Sequence, residues 1–477
     1  MSGPRLRTPG QAGPGAHLTH EGAEHGVRAV LSDLFPAPAE PAPGRAGLTR
    51  WAFPLIQVAA VALGALVMLV RIGGPGPSSW DRAYAEDPGL YLPAALAHPW
   101  HLLQSYGGYL QLIPRVIAQI AALVPIQHAS VVFAVGGALV ASGCALFVYH
   151  ASAGQVSSRW LRGVLGLSVL LLPVAQLEIA DNGVNSIWYL LVALFWAALW
   201  RPRSRAGASV AAVVAFLAAA SSSLALVYAP LFGARVLAVP GRGREQAATV
   251  GWALGSVLQI FVILTSHLSR FSLRNPLNAV VFYSRDVLLP ALGWHDSWHV
   301  RDLIGADGAS VLVGGLIAVV LLAAVLTQSR RCQVFVITAV ATGLVLTGIT
   351  SVLAWGGPGQ LNTVAVEHGA RYSTVPILLL VAALVVAADS FARRWWPRPK
   401  AVVAVAVLVA VLGAGWITDF RYPVRRYEGP TSAWVITADA WLRYCQHRPN
   451  GTITVTFTDW WGTARLASTF SCSSVRR

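Results

Sequence analysis

Two adjacent carboxylates, Glu86 and Asp87, stand directly before a Pro-Gly turn signal and an apolar, helix-like run in segment 80–96. A carboxyl group beside an interfacial helix is partly dehydrated, which raises its pKa toward neutrality and suits it to act as a general base. Asp81 is a third acid in the same segment. The alternative is structural, with Asp87 capping the following helix and Glu86 in solvent. The residues alone leave both interpretations open.

A second group of polar side chains lies in segment 176–191. Four carboxylate or amide groups fall within eight residues: Glu178, Asp181, Asn182 and Asn185. A tight loop requires fewer, although its Asn-Gly pair is a turn signal and Asn185 is a suitable cap for the next helix. We therefore expect some of these groups to be structural, and we take Glu178, Asn182 and Asn185 as candidates for substrate binding. Trp188 is expected to be an interfacial anchor rather than a platform for a sugar ring.

The third group, in segment 362–376, combines His368 with Arg371 and Tyr372 at the start of an apolar run. Arg371 has two interpretations: its side chain reaches back to the membrane interface, or its guanidinium binds a substrate phosphate through two parallel hydrogen bonds. Segment 267–308 adds several histidines, but they lack a fixed third ligand, and no Cys/His spacing is typical of a metal site. No metal site is therefore predicted, and dependence on a divalent cation stays open.

These groups must be positioned by a chain that is too apolar for a soluble fold. Hydrophobic residues make up 55% of the 477 and charged residues only 12%, and the mean hydropathy is +0.59. A soluble domain has about 25% charged residues. We predict an all-α polytopic membrane protein whose bundle covers 51–417. The eleven predicted spans are 51–71, 129–149, 162–176, 185–200, 207–221, 222–238, 247–266, 309–328, 333–355, 371–390 and 401–417.

Positive charge on alternate loops gives the predicted orientation. With segment 1–50 inside, as a disordered cytoplasmic tail, the short arginine-rich loops all fall inside, and the short loops 177–184 and 356–370, which contain no Lys or Arg, fall outside. The same loops explain the net charge of +15, because arginine there faces anionic lipid. We therefore expect a multi-pass protein of the plasma membrane, with the lipid bilayer as partner and no nucleic acid.

Segment 108–125 is the exception to this alternation. It is fairly apolar but carries Pro114 and Arg115, and a span here would place the later arginine clusters outside. We interpret it as an amphipathic or re-entrant helix at the outer interface, so that the first outer loop, 72–128, is partly embedded.

Beyond residue 417 the composition becomes mixed, with charges, aromatics and a β-like alternation at 452–457. We predict a small extracytoplasmic module over 418–477, made of one helix and a hairpin. Its Cys445 and Cys472 are able to pair if the compartment is oxidising.

The order and spacing of several segments resemble the GT-C class of membrane glycosyltransferases, and more narrowly an actinobacterial group of multipass proteins of that kind. The segments are AEDPGLYLPAAL, YGGYLQLIPRVIAQIAALVP, EIADNGVNSIWYLL, EHGARYSTVP and the cysteine-containing tail. The resemblance covers about 60–477. It implies a sugar linked to polyprenyl phosphate as donor, and an envelope glycan or glycolipid as acceptor.

The same resemblance implies roles for individual residues. Asp87 or Glu86 would be the base that deprotonates an acceptor hydroxyl, with Asp81 as a third choice. A cation is implied near the donor phosphate, with Arg371 as first choice and Arg115 as second. No cofactor is required, because transfer from a lipid phosphate needs no nucleotide, and the sequence has no Walker or GxGxxG element.

Two other functions compete with glycosyl transfer. The first is a transporter or lipid flippase of the cell envelope, although no internal repeat is convincing and the acids lie at the outer ends of spans rather than mid-span. The second is a non-enzymatic scaffold that binds through 418–477. The sugar, its linkage and the oligomeric state stay open.

Overall fold

The computed structural model describes most of the chain, in fourteen stretches. These are residues 30–37, 52–71, 78–81, 86–174, 179–239, 241, 243–266, 277–288, 290–291, 294–352, 370–395, 398–420, 434–458 and 465–475. The fold is predominantly helical, with a single two-stranded sheet in this part of the chain.

The longer helices form the bundle, and short helical turns connect them. In chain order the α-helices are α1 Ala52–Arg71, α2 Leu92–Ala97, α3 Leu112–Ala121, α4 Ala129–Ala151, α5 Arg159–Leu171, α6 Ser186–Leu199, α7 Arg205–Ser221, α8 Ala229–Ala238, α9 Ala247–Thr265, α10 Leu277–Phe282, α11 Trp294–Thr327, α12 Arg330–Val352, α13 Ala370–Trp395, α14 Pro399–Thr418, α15 Trp434–His447 and α16 Cys472–Val475. Wider, π-helical turns occupy Asp87–Tyr91 and Tyr283–Leu288, and α11 is kinked at Gly305.

Six helices of the described chain are long and apolar enough to cross a membrane. They are Pro54–Arg71, Ile126–Gly154, Arg244–Thr265, Arg330–Ser351, Arg371–Trp395 and Pro399–Thr418. The other predicted spans correspond to shorter helices, such as α6 with 14 residues and α5 with 13. The structure therefore supports an all-α membrane protein with six candidate spans, and the predicted total of eleven stays a prediction.

Contacts between loops divide the ends of the helices into two sides. On one side, which we call the Asp87 side, Asp87 contacts Gly183, and Glu86 contacts Arg371. On the opposite side, Gln155 donates to the carbonyl of Leu34, and Arg330 contacts Asp33. The loops group as the alternation of charge predicts, with acids of the first loop on one side and the arginine-rich connections on the other.

Helix α3 lies on the Asp87 side and does not cross the bundle. Its 10 residues are about 15 Å long, which is half the thickness of a hydrocarbon core. The amide of Ile113 donates to Ser221 Oγ at the end of α7, whereas Ile120 and Leu123 are exposed. A helix of this length agrees with the omission of a span at 108–125, and its position at the outer interface stays a prediction.

Part of the segment predicted to be disordered is folded. Residues 30–37 form a short helical turn on the side opposite to Asp87, and Leu34 and Phe35 are buried in the main core. Gln155 holds the Leu34 carbonyl at 2.7 Å, and Asp33 lies 3.4 Å from Arg330. The prediction of a disordered 1–50 was therefore wrong for these eight residues, because an isolated apolar pair in a polar tail was not recognised as a docking motif.

The C-terminal module contains the predicted helix and hairpin. Helix α15 precedes β1 Thr452–Thr458 and β2 Arg465–Ser471, which pair antiparallel. A disulfide joins Cys445 to Cys472, the pair that the sequence suggested. Trp434, Trp441 and Phe470 belong to one hydrophobic cluster with Tyr91 and Leu92, so the module packs directly on the first loop.

Helices α7 and α9 pack closely through two glycines of α9. A Cβ atom at Gly251 would overlap the carbonyl oxygen of Ala212, and one at Gly255 would lie 2.6 Å from that of Phe216. Small residues four apart let two helix backbones approach in a membrane, where packing rather than the hydrophobic effect drives association.

We predict that Gly251→Val lowers the free energy of unfolding by roughly 1–3 kcal/mol, because its side chain would overlap the backbone of α7. Thermal unfolding of the detergent-purified protein measures the change. Gly413→Val in α14 is the control, because a Cβ there meets no atom within 4 Å. Equal losses in both variants would show that the helix contact is not responsible.

Candidate functional site

The carboxylate of Asp87 connects two loops of the Asp87 side. It is fully buried at the start of the π-helical turn Asp87–Tyr91. Its Oδ2 accepts the amide N–H of Gly183 at 2.8 Å, and its Oδ1 accepts that of Val184 at 2.9 Å. Two successive backbone amides thus hold one side chain, which fixes the position of the first loop against loop 179–185.

Loop 179–185 has a backbone shape that few sequences allow. Asp181 adopts a φ of 56°, in the left-handed region, and Asn182 Oδ1 accepts the amide of Asn185. A Cβ at Gly137 of α4 would overlap the Asn182 carbonyl oxygen, and one at Gly183 would lie 3.1 Å from Asp87 Oδ1. Glycine at both positions therefore lets this loop lie between α4 and Asp87.

Burial and hydrogen bonding act on Asp87 in opposite directions. Removal from water raises the pKa of its carboxyl group to about 8, the amide of Gly183 opposes this, the nearby charge of Glu86 adds to it, and the amide of Val184 opposes it. Desolvation dominates because the ionised form loses its hydration completely. The two amide donors are what keep the charged form accessible near neutral pH.

Glu86 and Arg371 form an ion pair next to this junction. Arg371 Nη1 lies 3.8 Å from Glu86 Oε1, and their side chains retain 27% and 16% of their exposure. The Arg371 guanidinium lies over the ring of Tyr372, 5.1 Å from its centroid. Unlike Asp87, both charged groups are therefore reachable from outside the protein.

An aromatic contact links this ion pair to loop 179–185. Tyr372 meets the edge of Trp188, with 5.4 Å between ring centroids, and Trp188 Nε1 donates to Asn185 Oδ1 at 3.3 Å. Trp188 is 5% exposed. Its ring packs within the bundle, on α6, and contacts Tyr372 of α13. Trp188 is therefore a packing residue rather than the exposed interfacial anchor expected at this position.

A pair of tyrosines beside Glu86 was not predicted from the sequence. Tyr106 and Tyr109 exchange backbone hydrogen bonds across Gly107 and Gly108, both with positive φ (61° and 82°). This is the geometry of a type I′ turn, in which paired flanking side chains point to one face. The sequence Tyr-Gly-Gly-Tyr carries that signal, although it lies within an otherwise apolar segment.

The pKa of Tyr106 is affected by burial and by the charges of the ion pair. Burial raises the pKa of Tyr106 to about 12, Glu86 adds to the rise and Arg371 opposes it. Burial also raises the pKa of Tyr109, whose hydroxyl accepts from Gln111 Nε2 at 2.7 Å. The phenols therefore remain neutral hydrogen-bonding groups at physiological pH, next to one carboxylate and one guanidinium.

Arg115 is a second cation of the site, and it lacks an acidic partner in the described chain. It is 6% exposed, and its donors reach only Gln104 Oε1 at 3.3 Å and the Ser105 carbonyl at 3.4 Å. Its guanidinium lies 5.6 Å from the ring centroid of Tyr91. Burial lowers the pKa of Arg115, and Tyr91 opposes this. A buried, uncompensated guanidinium favours an anion nearby.

A buried arginine, Arg71, interacts with the end of α5 and with loop 179–185. At the end of α1 it is fully buried and donates to the carbonyl oxygens of Leu170 and Leu172, where α5 ends. Asp181 and Asp419 lie within the range of its charge. The arginine thereby stabilises a helix C-terminus and balances the acid in the strained position of loop 179–185.

The structure brings most of the predicted site residues together. These are Glu86, Asp87, Asn182, Asn185, Arg371 and Tyr372, through the interactions above, and Arg115, whose neighbour Tyr91 meets the ring of Tyr106 with 5.8 Å between centroids. Asp81 lies in the turn Ser79–Asp81, where Ser130 donates to the Trp80 carbonyl. Glu178 and His368 lie outside the described residues. The stretches that are described hold no cluster of three or more metal-binding side chains.

Comparison with known proteins adds no relative to this picture. No protein-family model matches the sequence, and a search of the curated proteins gives no significant match.

The pKa of Asp87 predicts how stability depends on pH. An unfolded chain loses this proton near 3.8, whereas the folded protein keeps it until about 8. Between these values the folded state binds more protons, so the free energy of unfolding falls as pH rises from 4 to 8. Thermal unfolding between pH 5 and 9 should show this decline, and Asp87→Asn should flatten it.

Asp389→Asn is the matched control for this experiment. Asp389 is also buried, and it accepts the amides of Ser157 and Ser158, each at 3.0 Å. Its substitution replaces one of the two acceptor oxygens by an NH2 group, as Asp87→Asn does, but on the opposite side and with Asp87 left in place. A decline of unchanged slope in Asp87→Asn would contradict the assignment.

Proposed function

We propose that the protein is a membrane glycosyltransferase of the GT-C kind. It transfers a sugar from a polyprenyl-phosphate donor to a glycan or glycolipid of the cell envelope. The observation that carries the proposal is the reachable ion pair of Glu86 and Arg371, held among neutral tyrosines by a buried junction. A base, a phosphate-binding cation and hydroxyl groups for a sugar are the groups that this reaction needs at one place.

Within this proposal Glu86 is the general base. The acceptor oxygen attacks the anomeric carbon of the donor, the bond from that carbon to the phosphate oxygen breaks, and the acceptor proton passes to Glu86. A base must reach the proton that it removes, and the Glu86 carboxylate is partly exposed whereas that of Asp87 is enclosed with both oxygens engaged. Asp87 is then a positioning residue, which reverses the order expected from sequence.

Arg115 and Arg371 have different roles at the donor phosphate. Glu86 already balances part of the charge of Arg371. Arg115 has only neutral partners among the residues described, and exposed Trp100 and Leu103 precede it in the same loop. The phosphate of a donor that arrives from the lipid supplies the missing anion at Arg115, and Arg371 contacts it as the leaving group forms.

We place the Asp87 side outside the cell, in the plasma membrane. The support is the charge of the opposite side, where the connections carry the arginine clusters that cytoplasmic loops favour. The C-terminal module packs on the first loop and is therefore extracytoplasmic in this orientation, where the Cys445–Cys472 disulfide is chemically stable.

Broken helices are typical of transporters, and α7 ends in such a break at Ser221–Ser223, but here the break has a structural use. Ser221 Oγ accepts the amide of Ile113, and Ser222 Oγ accepts that of Leu224. The interruption of the helix thus receives the interfacial helix α3 and caps the following turn. We therefore keep glycosyl transfer as the proposed function.

We predict that Glu86→Gln reduces sugar transfer by at least about 100-fold, because the amide cannot accept the acceptor proton. A strain that lacks the protein is complemented with each variant, and lipid extracts are analysed for accumulated polyprenyl-linked sugar. Glu245→Gln is the control, because Glu245 forms a comparable pair with Arg201, 3.1 Å apart, on the opposite side. Wild-type lipid profiles in Glu86→Gln would refute the role of Glu86.

The double variant Glu86→Arg/Arg371→Glu separates a catalytic role from a structural one. It preserves an ion pair at the site but moves the carboxylate to α13. Protein yield and thermal stability close to wild type, with transfer still absent, are the expected results. Recovery of transfer would mean that the pair only stabilises the fold.

We also predict that Arg115→Gln weakens use of the lipid donor more than it slows the reaction at saturating donor, whereas Arg371→Gln mainly lowers the maximal rate. The reason is that only Arg115 is uncompensated before the donor binds. Transfer rates in membranes supplied with increasing amounts of polyprenyl-phosphate sugar measure both effects. Identical kinetic changes in the two variants would contradict this division.

A further inference from the structure

The opposite side of the bundle carries a group of cations at the ends of three helices, which we call the basic cluster. Helix α11 ends at Thr327, α13 ends at Trp395 and α14 begins at Pro399. The amide of Arg398 donates to the Trp395 carbonyl at 2.7 Å, so the end of α13 and the start of α14 lie close together. The exposed cations Arg394, Arg398 and Lys400 surround this point.

Two of these cations share one aromatic ring. The guanidinium of Arg394 lies 5.5 Å from the ring centroid of Trp395, and that of Arg398 lies 4.6 Å from it. Arg394 also donates to the Thr327 carbonyl, which ties it to the end of α11. Stacking on an aromatic face orients a guanidinium and restricts its rotamers, so each of these positive charges is held in a defined position.

The basic cluster has more positive charge than the described chain neutralises. Asp389 is engaged by the amides of Ser157 and Ser158 and by Arg393, 3.2 Å away. Asp33, on the same side, pairs with Arg330 at 3.4 Å. For Arg394, Arg398 and Lys400, no carboxylate of the described chain lies within ion-pair distance. These three cations are therefore available to an anion from outside the chain.

The surroundings indicate that this anion is carried by a lipid. Only 17% of the apolar stretch of helix α14 is buried, and Val402, Val403 and Val407 are exposed on it. An apolar helix face that begins directly at a cationic cluster offers contacts to an acyl chain and to a headgroup at once. A soluble phosphate would use the cations but not the apolar face.

We propose that this basic cluster binds the phosphodiester headgroup of an anionic phospholipid, with its acyl chains along α14. Arg394 and Arg398 contact the phosphate oxygens, and Lys400 adds charge at the start of α14. Basic pockets between the ends of membrane helices bind anionic headgroups for this reason. The proposal is independent of the proposed transferase activity, because it concerns the other side of the bundle.

The test is native mass spectrometry of the full-length protein in detergent, titrated with phosphatidylglycerol or phosphatidylcholine. We expect phosphatidylglycerol to bind wild type and to bind Arg394→Gln/Arg398→Gln roughly 30-fold more weakly. Phosphatidylcholine should show no such difference. Arg203→Gln/Arg205→Gln is the matched control, because it removes two exposed arginines from the same side without touching Trp395.

Two further measurements make the result decisive. Arg398→Gln alone should weaken binding, and its side chain is exposed, so the variant does not depend on a changed core. Trp395→Leu should weaken binding although it removes no charge. Equal weakening in the Arg203/Arg205 control, or displacement of the lipid by inorganic phosphate at the same concentration, would overturn the proposal.

Discussion

The two hydrogen bonds from Gly183 and Val184 to the Asp87 carboxylate are the interaction on which the Asp87 side depends. They attach the first loop to loop 179–185, and the contacts of Trp188 with Tyr372 carry the connection to α13. Glu86 is next to Asp87 in the chain, and Arg371 precedes Tyr372. A single buried carboxylate therefore determines where a partly exposed acid and a partly exposed arginine can meet.

A second buried aspartate forms the same kind of interaction at the other end of the bundle. Asp389 accepts two successive backbone amides, from Ser157 and Ser158, as Asp87 does from Gly183 and Val184. In each case an acid of one segment fixes a connection between two helices, and a charged neighbour stands beside it, Arg393 in one case and Glu86 in the other. The sign of that neighbour differs: a cation stabilises the carboxylate of Asp389, whereas an anion destabilises that of Asp87. The Asp87 junction is the one in which charge is costly.

Sequence patterns predicted the helical membrane fold, the helix and hairpin of the tail and the presence of the first-loop acids and Arg371 on one side, whereas the interfacial position of 108–125 stays a prediction. These features follow from hydropathy, charge parity and local alternation, which are properties of short segments. Which acid is buried was not predictable, because the burial of Asp87 is created by a loop almost a hundred residues away. The position of Tyr106 and Tyr109 near the ion pair was also not predicted. The sequence signals only their turn, whereas their position depends on how that turn lies relative to Arg371 at the start of α13.

The aromatic cluster between the C-terminal module and the first loop has a consequence for how the protein is made. Trp434 donates to the carbonyl of Ile126, a residue 308 positions earlier, and Trp441 and Phe470 belong to the same hydrophobic cluster as Tyr91 and Leu92. During synthesis the first loop is therefore without its cover while all the intervening helices are produced and inserted. The first loop is made early, but it is covered only after α15 and the hairpin have been synthesised. A chain truncated before α15 would therefore leave an apolar surface exposed to chaperones and proteases.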